Sequence, residues 1–340
     1  MFFAYGNTYS FGVFFPALSA SFGANRAETA LVFSIVGGLY STLGIISGPA
    51  ADRLGTRPVC LFGIVALGIG LIYASTATAL WQVYLGFGLG LAFGMGFIFA
   101  PANAGLQRWF TKKRGLASGI ASTGIGVSIL VLPPVSAALI EWQNWRVAMQ
   151  IIGVSALIIG SLAALMMGDP TDTKGGSASV VGATDNQIDV KTYYDLKAAF
   201  LSRGFLMLFF SSMICSIGFF IPFVHLVPYA IDQGFGETNG VYLLMVIGIG
   251  SLTGRILLTA ASDHLGRRNS MIAMYFTMAL SFWLWYVADN MTVLTMFAVF
   301  YGLGSGGYVA MIAPLIAEYF GTEKIGSILG CFMPNIALGG

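Results

Sequence analysis

The feature that most constrains this chain is a succession of continuous apolar runs, each long enough to cross a bilayer. About 20 apolar residues at ~1.5 Å of helical rise match a hydrocarbon core of ~30 Å. The runs cover 1–22, 29–50, 59–78, 80–106, 115–140, 146–167, 204–231, 239–262, 270–288, 292–317 and 325–340. Continuous rather than alternating hydrophobicity points to helices and away from a barrel. Hydrophobic residues make up 57% of the chain and charged residues 9%, well under the ~25% of a water-soluble domain. The expected class is therefore an all-α integral membrane protein with the lipid bilayer as its surroundings.

Charge placement sets orientation. Thirteen of the sixteen Lys and Arg residues lie in alternate loops, from Arg53 and Arg57 through Arg108–Arg114, the 174–203 stretch, Arg267 and Arg268 to Lys324. The opposite loops hold only Arg26 and Arg146. By the positive-inside rule the first set is cytoplasmic. The polar stretch 168–203 is then a cytoplasmic linker, with a short surface helix expected over 193–200, between a first half at 1–167 and a second at 204–340. The multi-pass protein is expected in a plasma or inner membrane. No long basic tract suggests nucleic acid. Cys60, Cys215 and Cys331 have no metal or redox spacing.

The halves repeat one another. Asp52-Arg53-Leu54-Gly55-Thr56-Arg57 returns as Asp263-His264-Leu265-Gly266-Arg267-Arg268, an offset of 211 (263 − 52). Lys113, Gly115 and Gly119 return at the same offset as Lys324, Gly326 and Gly330. Parallel repeats of this kind build transporters with two pseudo-symmetric halves. The sixth run predicts a partner at 357–378, so eleven helices of a twelve-helix architecture are expected in the 340 residues, with the twelfth and the start of the first missing.

One charge lies inside the runs. Arg255 is eight residues before Asp263 (263 − 255), roughly 12 Å inside its end of the eighth run. A lone guanidinium at that depth costs about 2.5 kcal/mol or considerably more. It reads as an anion site, against the alternative of an arginine that snorkels or pairs with a buried acid. His225, between Pro222 and Pro228, admits two readings: a proton-responsive ligand or a hydrogen-bonded packing residue. Tyr9, Asn103, Tyr308 and Asn335 are further candidates to line a pathway, with interhelical hydrogen bonding or core packing as the alternative for each. Asp52, Arg53, Gly55 and Arg57, with Asp263, Arg267 and Arg268, form candidate cytoplasmic gates. There an acid at a helix end and arginines in a Gly turn can pair with neighbouring helices in one conformation.

The stretch Gly48–Arg57 resembles the loop signature between the second and third helices of the major facilitator superfamily. Trp109-Phe110-Thr111-Lys112-Lys113-Arg114-Gly115-Leu116-Ala117-Ser118-Gly119-Ile120-Ala121 is similar to the fifth-helix signature of monocarboxylate transporters. Pro222, Leu226 and Tyr229 match that family's seventh helix, and Arg255 falls at its eighth-helix arginine. Two positions depart: Ser251 stands where animal members have an aspartate, and Tyr9 where they have a lysine. A similarity to the oxalate/formate antiporters is weaker, because 325–340 holds no Lys or Arg. The resemblance implies a major facilitator fold and alternating-access transport of small monocarboxylates, with a proton as the expected co-substrate. Carboxylate exchange and a carboxylate sensor without transport are the alternatives. No nucleophile–base arrangement, metal constellation or phosphate loop suggests an enzyme or a cofactor.

Overall fold

The computed structural model describes residues 1–110, 113–168, 196–219 and 221–335. The linker stretch 169–195, including the first part of the helix expected at 193–200, lies outside the described residues, as do Thr111, Lys112 and 336–340. Among the described residues the chain is helical throughout, and eight helices are long and apolar enough to cross a membrane.

The elements are α1 (Phe2–Tyr9 and Phe11–Phe22, interrupted at Ser10), α2 (Arg26–Leu54), α3 (Thr56–Ser75), α4 (Leu80–Trp109), α5 (Arg114–Trp142) and α6 (Trp145–Leu165). A short helix, Leu196–Leu201, precedes the second set. That set is α7 (described over Arg203–Phe219 and Ile221–Asp232), α8 (Glu237–Leu265), α9 (Arg267–Tyr286), α10 (Met291–Phe320) and α11 (Ile325–Phe332). The short helix is not a free surface element. Ala199 is buried, and the Phe200 and Phe205 rings meet edge to face.

Local chemistry sets the ends. Asn25 and Glu28 form a capping box at the start of α2, with bonds of 2.9 and 2.8 Å. Gly55 (φ 88°) separates α2 from α3, and Gly266 (φ 86°) separates α8 from α9. These positions are related by the 211-residue repeat, and both adopt a backbone that other residues resist. Gly55 therefore acts as a turn, and its neighbours do the pairing.

Two hydrophobic clusters underlie the halves. One is built from α1–α6, around Phe14, Phe87, Leu67, Leu71 and Met149. The other is built from α7–α11, around Tyr301, Phe297, Leu226 and Phe332, and it recruits Phe99, Ala104 and Ile125 from the first half. The first half thus reaches into the second through α4 and α5.

Glycines make the closest approaches between the halves. On one side α2 meets α11: a Cβ on Gly330 or Gly48 would strike a backbone carbonyl of the facing helix. On the other side α5 meets α8, where a Cβ on Gly119 would strike the Arg255 carbonyl and one on Gly115 the Thr259 carbonyl. Only glycine permits such backbone-to-backbone contact. The repeat pairs Gly115/Gly119 and Gly326/Gly330 are thus the two seams.

Candidate functional site

Arg255 lies ten residues from the C-terminal end of α8 (265 − 255), about 15 Å deep, and is 4% exposed. Its Nε donates to Ser251 Oγ, one turn earlier, and its Nη1 donates to the Ser122 carbonyl of α5, each at 3.3 Å. Both bonds are longer than the usual 2.9–3.0 Å. They use little of a fork built to hold two acceptors side by side. Among the described residues no carboxylate lies within ion-pairing distance of it. Instead the nearest electrostatic neighbours are the Tyr5 and Tyr9 phenols of α1. The guanidinium therefore sits at the α5–α8 seam, held by a serine and a carbonyl, with no counter-charge.

Other polar groups in the bundle are also unsatisfied. Tyr308, 2% exposed, carries a hydroxyl that faces Ser212 and Ser216 but makes no close hydrogen bond among the described residues, its ring 5.5 Å from Tyr275 and 6.2 Å from Phe219. Among the described residues Asn335 is fully buried with no partner for either side-chain atom, and Asn7 Oδ1 is likewise bare. Each such atom costs about 1–3 kcal/mol unless water or a ligand reaches it. Asn103 differs, because its amide donates to the Phe99 carbonyl one turn back, at 2.9 Å. Tyr9 is half-buried and its ring lies 6.1 Å from Phe223 of α7, an aromatic contact between the halves.

His225 and Tyr229 stand elsewhere. The buried stripe of α7 runs through Pro222, Leu226 and Ala230, at intervals of four. His225 lies off that stripe and is exposed. It lines a groove with Ile221, Tyr229 and, from α9, Phe282, Trp285 and Tyr286. The Tyr229 ring meets Trp285 edge to face at 5.5 Å. The expectation that these two residues join Arg255 inside the bundle is corrected: His225 faces the groove between α7 and α9, and Tyr229 is half-buried there against Trp285 and the second core.

The basic end is closed by two reciprocal acid caps. Asp52, at the end of α2, accepts from Gly326 N (3.0 Å), Ser327 N (2.7 Å) and Ser327 Oγ (2.6 Å) at the start of α11, and from Arg108 of α4. Asp263, at the end of α8, accepts from Gly115 N (2.9 Å) and Leu116 N (3.0 Å) at the start of α5, and from Arg267 at 3.2 Å. Arg267 also pairs with Glu318 of α10. Each acid satisfies the free amides of a helix start in the opposite half, where the helix dipole favours negative charge. Arg57 donates to the Met167 carbonyl at 2.6 Å, tying α3 to the end of α6. Arg53 and Arg268 are exposed and take no part in this closure among the described residues.

The sequence reading did not find Arg108, Glu318, Ser327, Ser122 or Phe223. Arg108 was one basic residue among many in its loop, and Ser122 contributes only a carbonyl.

A family model described as the Major Facilitator Superfamily matches residues 1–340. Human monocarboxylate transporter 11 is 27% identical over 351 residues, covering 99% of this chain and 72% of that protein. Rat monocarboxylate transporter 13 is 31% identical over 339 residues, covering 99% and 76%. Among solved structures, the human organic anion transporter MFSD10 superposes with a TM-score of 0.73 at 14% identity, covering 99% of this chain and 89% of that one. The E. coli fucose:proton symporter superposes at 0.71 and 16%, covering 99% and 87%.

Proposed function

This chain belongs to the major facilitator superfamily, in the company of the monocarboxylate transporters, and is an integral membrane transporter rather than an enzyme; from that premise we propose that it carries small monocarboxylates by alternating access, together with a proton. The observation that carries the reading is Arg255: a buried guanidinium at the seam between the halves, with two long bonds and, among the described residues, no facing acid.

A carboxylate docked on the free edge of the fork would neutralise the charge and form a bidentate pair. The unpartnered Tyr308 hydroxyl and the Asn335 and Asn7 amides are polar groups suited to the rest of a short hydroxy- or keto-acid. Alternation follows from the caps. Asp52 and Asp263 each bond to a helix start of the opposite half, and releasing both would let the halves part along seams whose closest points are glycine backbone.

One fixed positive charge favours a monoanion. A dianion would leave a charge desolvated, at several kcal/mol. The test is competition for uptake by the full-length protein in vesicles. Lactate and pyruvate should compete at least tenfold better than oxalate or succinate at neutral pH. Equal competition by oxalate would falsify the single-charge argument.

A further inference from the structure

At the basic end a groove of about 340 Å³ opens on the outside of the bundle, between α4 and α5. Its walls are apolar, from Leu106 and Phe110 on α4 and Leu116, Ala117 and Ile120 on α5, and Lys113 stands at its rim. We propose that this groove is a binding site for one anionic phospholipid of the cytoplasmic leaflet, with an acyl chain against the wall and the phosphate at Lys113.

Charge complementarity is the first argument. The other described cations nearby have partners: Arg108 is held by Asp52, and Arg114 Nε donates to the Phe110 carbonyl at 2.8 Å. The nearby acids are likewise engaged, Asp52 on α11 and Asp263 on α5. Among the described residues that line the groove, Lys113 is the cation, and it is exposed with no acid bonded to it. It lies at the end of the molecule that carries the positive loops, where the membrane surface is negative.

Backbone geometry is the second. Lys113 has φ 57°, and among the described residues it is the only non-glycine in the left-handed region. That conformation is costly for a residue with a Cβ, and here it accompanies an ammonium placed on the groove. Length is the third. From Lys113 to Ala121, eight residues of α5 cover about 12 Å, close to the ~15 Å of one leaflet. A partner helix crossing the bilayer would need twice that track, so a lipid is the better fit.

The experiment uses the full-length protein in detergent, equilibrated with equal amounts of phosphatidylglycerol and phosphatidylcholine of the same acyl chains. Retained lipid is counted by native mass spectrometry, so the readout does not involve transport. Native protein should retain one phosphatidylglycerol with about fivefold preference, the equivalent of one basic side chain at an anionic surface. Lys113→Gln should abolish the preference and Lys113→Arg should keep it. Ala121→Trp, which fills the apolar track, should reduce retention of both lipids, with melting curves confirming that each variant is folded. Equal retention by the native protein would overturn the proposal, as would a preference that survives Lys113→Gln. So would displacement of the lipid by inorganic phosphate alone, or recovery of a second polypeptide in its place.

Discussion

Replacing Asp52 by Asn tests the reciprocal caps most directly. The side chain is 10% exposed and accepts four hydrogen bonds: two backbone amides and a hydroxyl of α11, and the Arg108 guanidinium. Asparagine retains one acceptor oxygen but points an NH2 group at the other donors. The two donors that share one carboxylate oxygen, Ser327 N and Oγ, would meet that NH2 group at a loss of about 1 kcal/mol each, and the lost charge at the helix start adds up to ~2 kcal/mol in a partly buried setting. A net loss of about 2–4 kcal/mol falls on the closed state alone. It should shift the equilibrium roughly 30- to 1000-fold towards opening at the basic end. Ser262, 1% exposed beside the Gly115 contact, is a suitable reporter. A cysteine there, with Cys60, Cys215 and Cys331 replaced by serine, should react with a charged maleimide at least tenfold faster when Asp52→Asn is added. Asp263→Asn should push the same equilibrium further. A labelling rate unchanged within twofold would refute the caps as determinants of closure.

Arg255→Lys should insert normally yet lose most uptake, because an ammonium cannot reproduce the planar fork; near-normal substrate affinity in that variant would remove the central claim. Uptake should rise as external pH falls, and His225→Gln should leave that profile unaltered, since the imidazole faces the α7–α9 groove; a flattened profile would return His225 to the pathway. Tyr308→Phe removes a buried hydroxyl that makes no close hydrogen bond among the described residues, so the variant should melt little lower than the native protein, while apparent affinity for hydroxy-acids falls several-fold; lower stability with unchanged affinity would make the hydroxyl structural.

The runs, the repeat and Arg255 were legible in the sequence because bilayer thickness and the cost of a buried charge act on each helix separately. The offset of 211 even marked the four glycines that became the seams, though not the helices they would touch. Facing was not legible for α7. Lipid and protein interior are equally apolar, so hydropathy could not say that Pro222, Leu226 and Ala230 turn inward while His225 turns out and Tyr229 lies between. The acids at 52 and 263 were expected to pair with neighbouring helices in one conformation. What they chiefly meet is backbone amide from the opposite half, and no residue code announces an amide.

The seams also bear on the kinetics of opening. Where Gly48 and Gly330 bring backbone against backbone no rotamers interdigitate, and Met333 beside Gly44 is a side chain that must slide as that line separates. The activation barrier then falls mostly on the two carboxylates, which must both release before the halves can rotate as rigid bodies. An opening with one cap broken would have to bend α2 or α8. Interconversion should accordingly be all-or-none, with a rate that responds steeply to the acids and only weakly to apolar substitutions outside the seams.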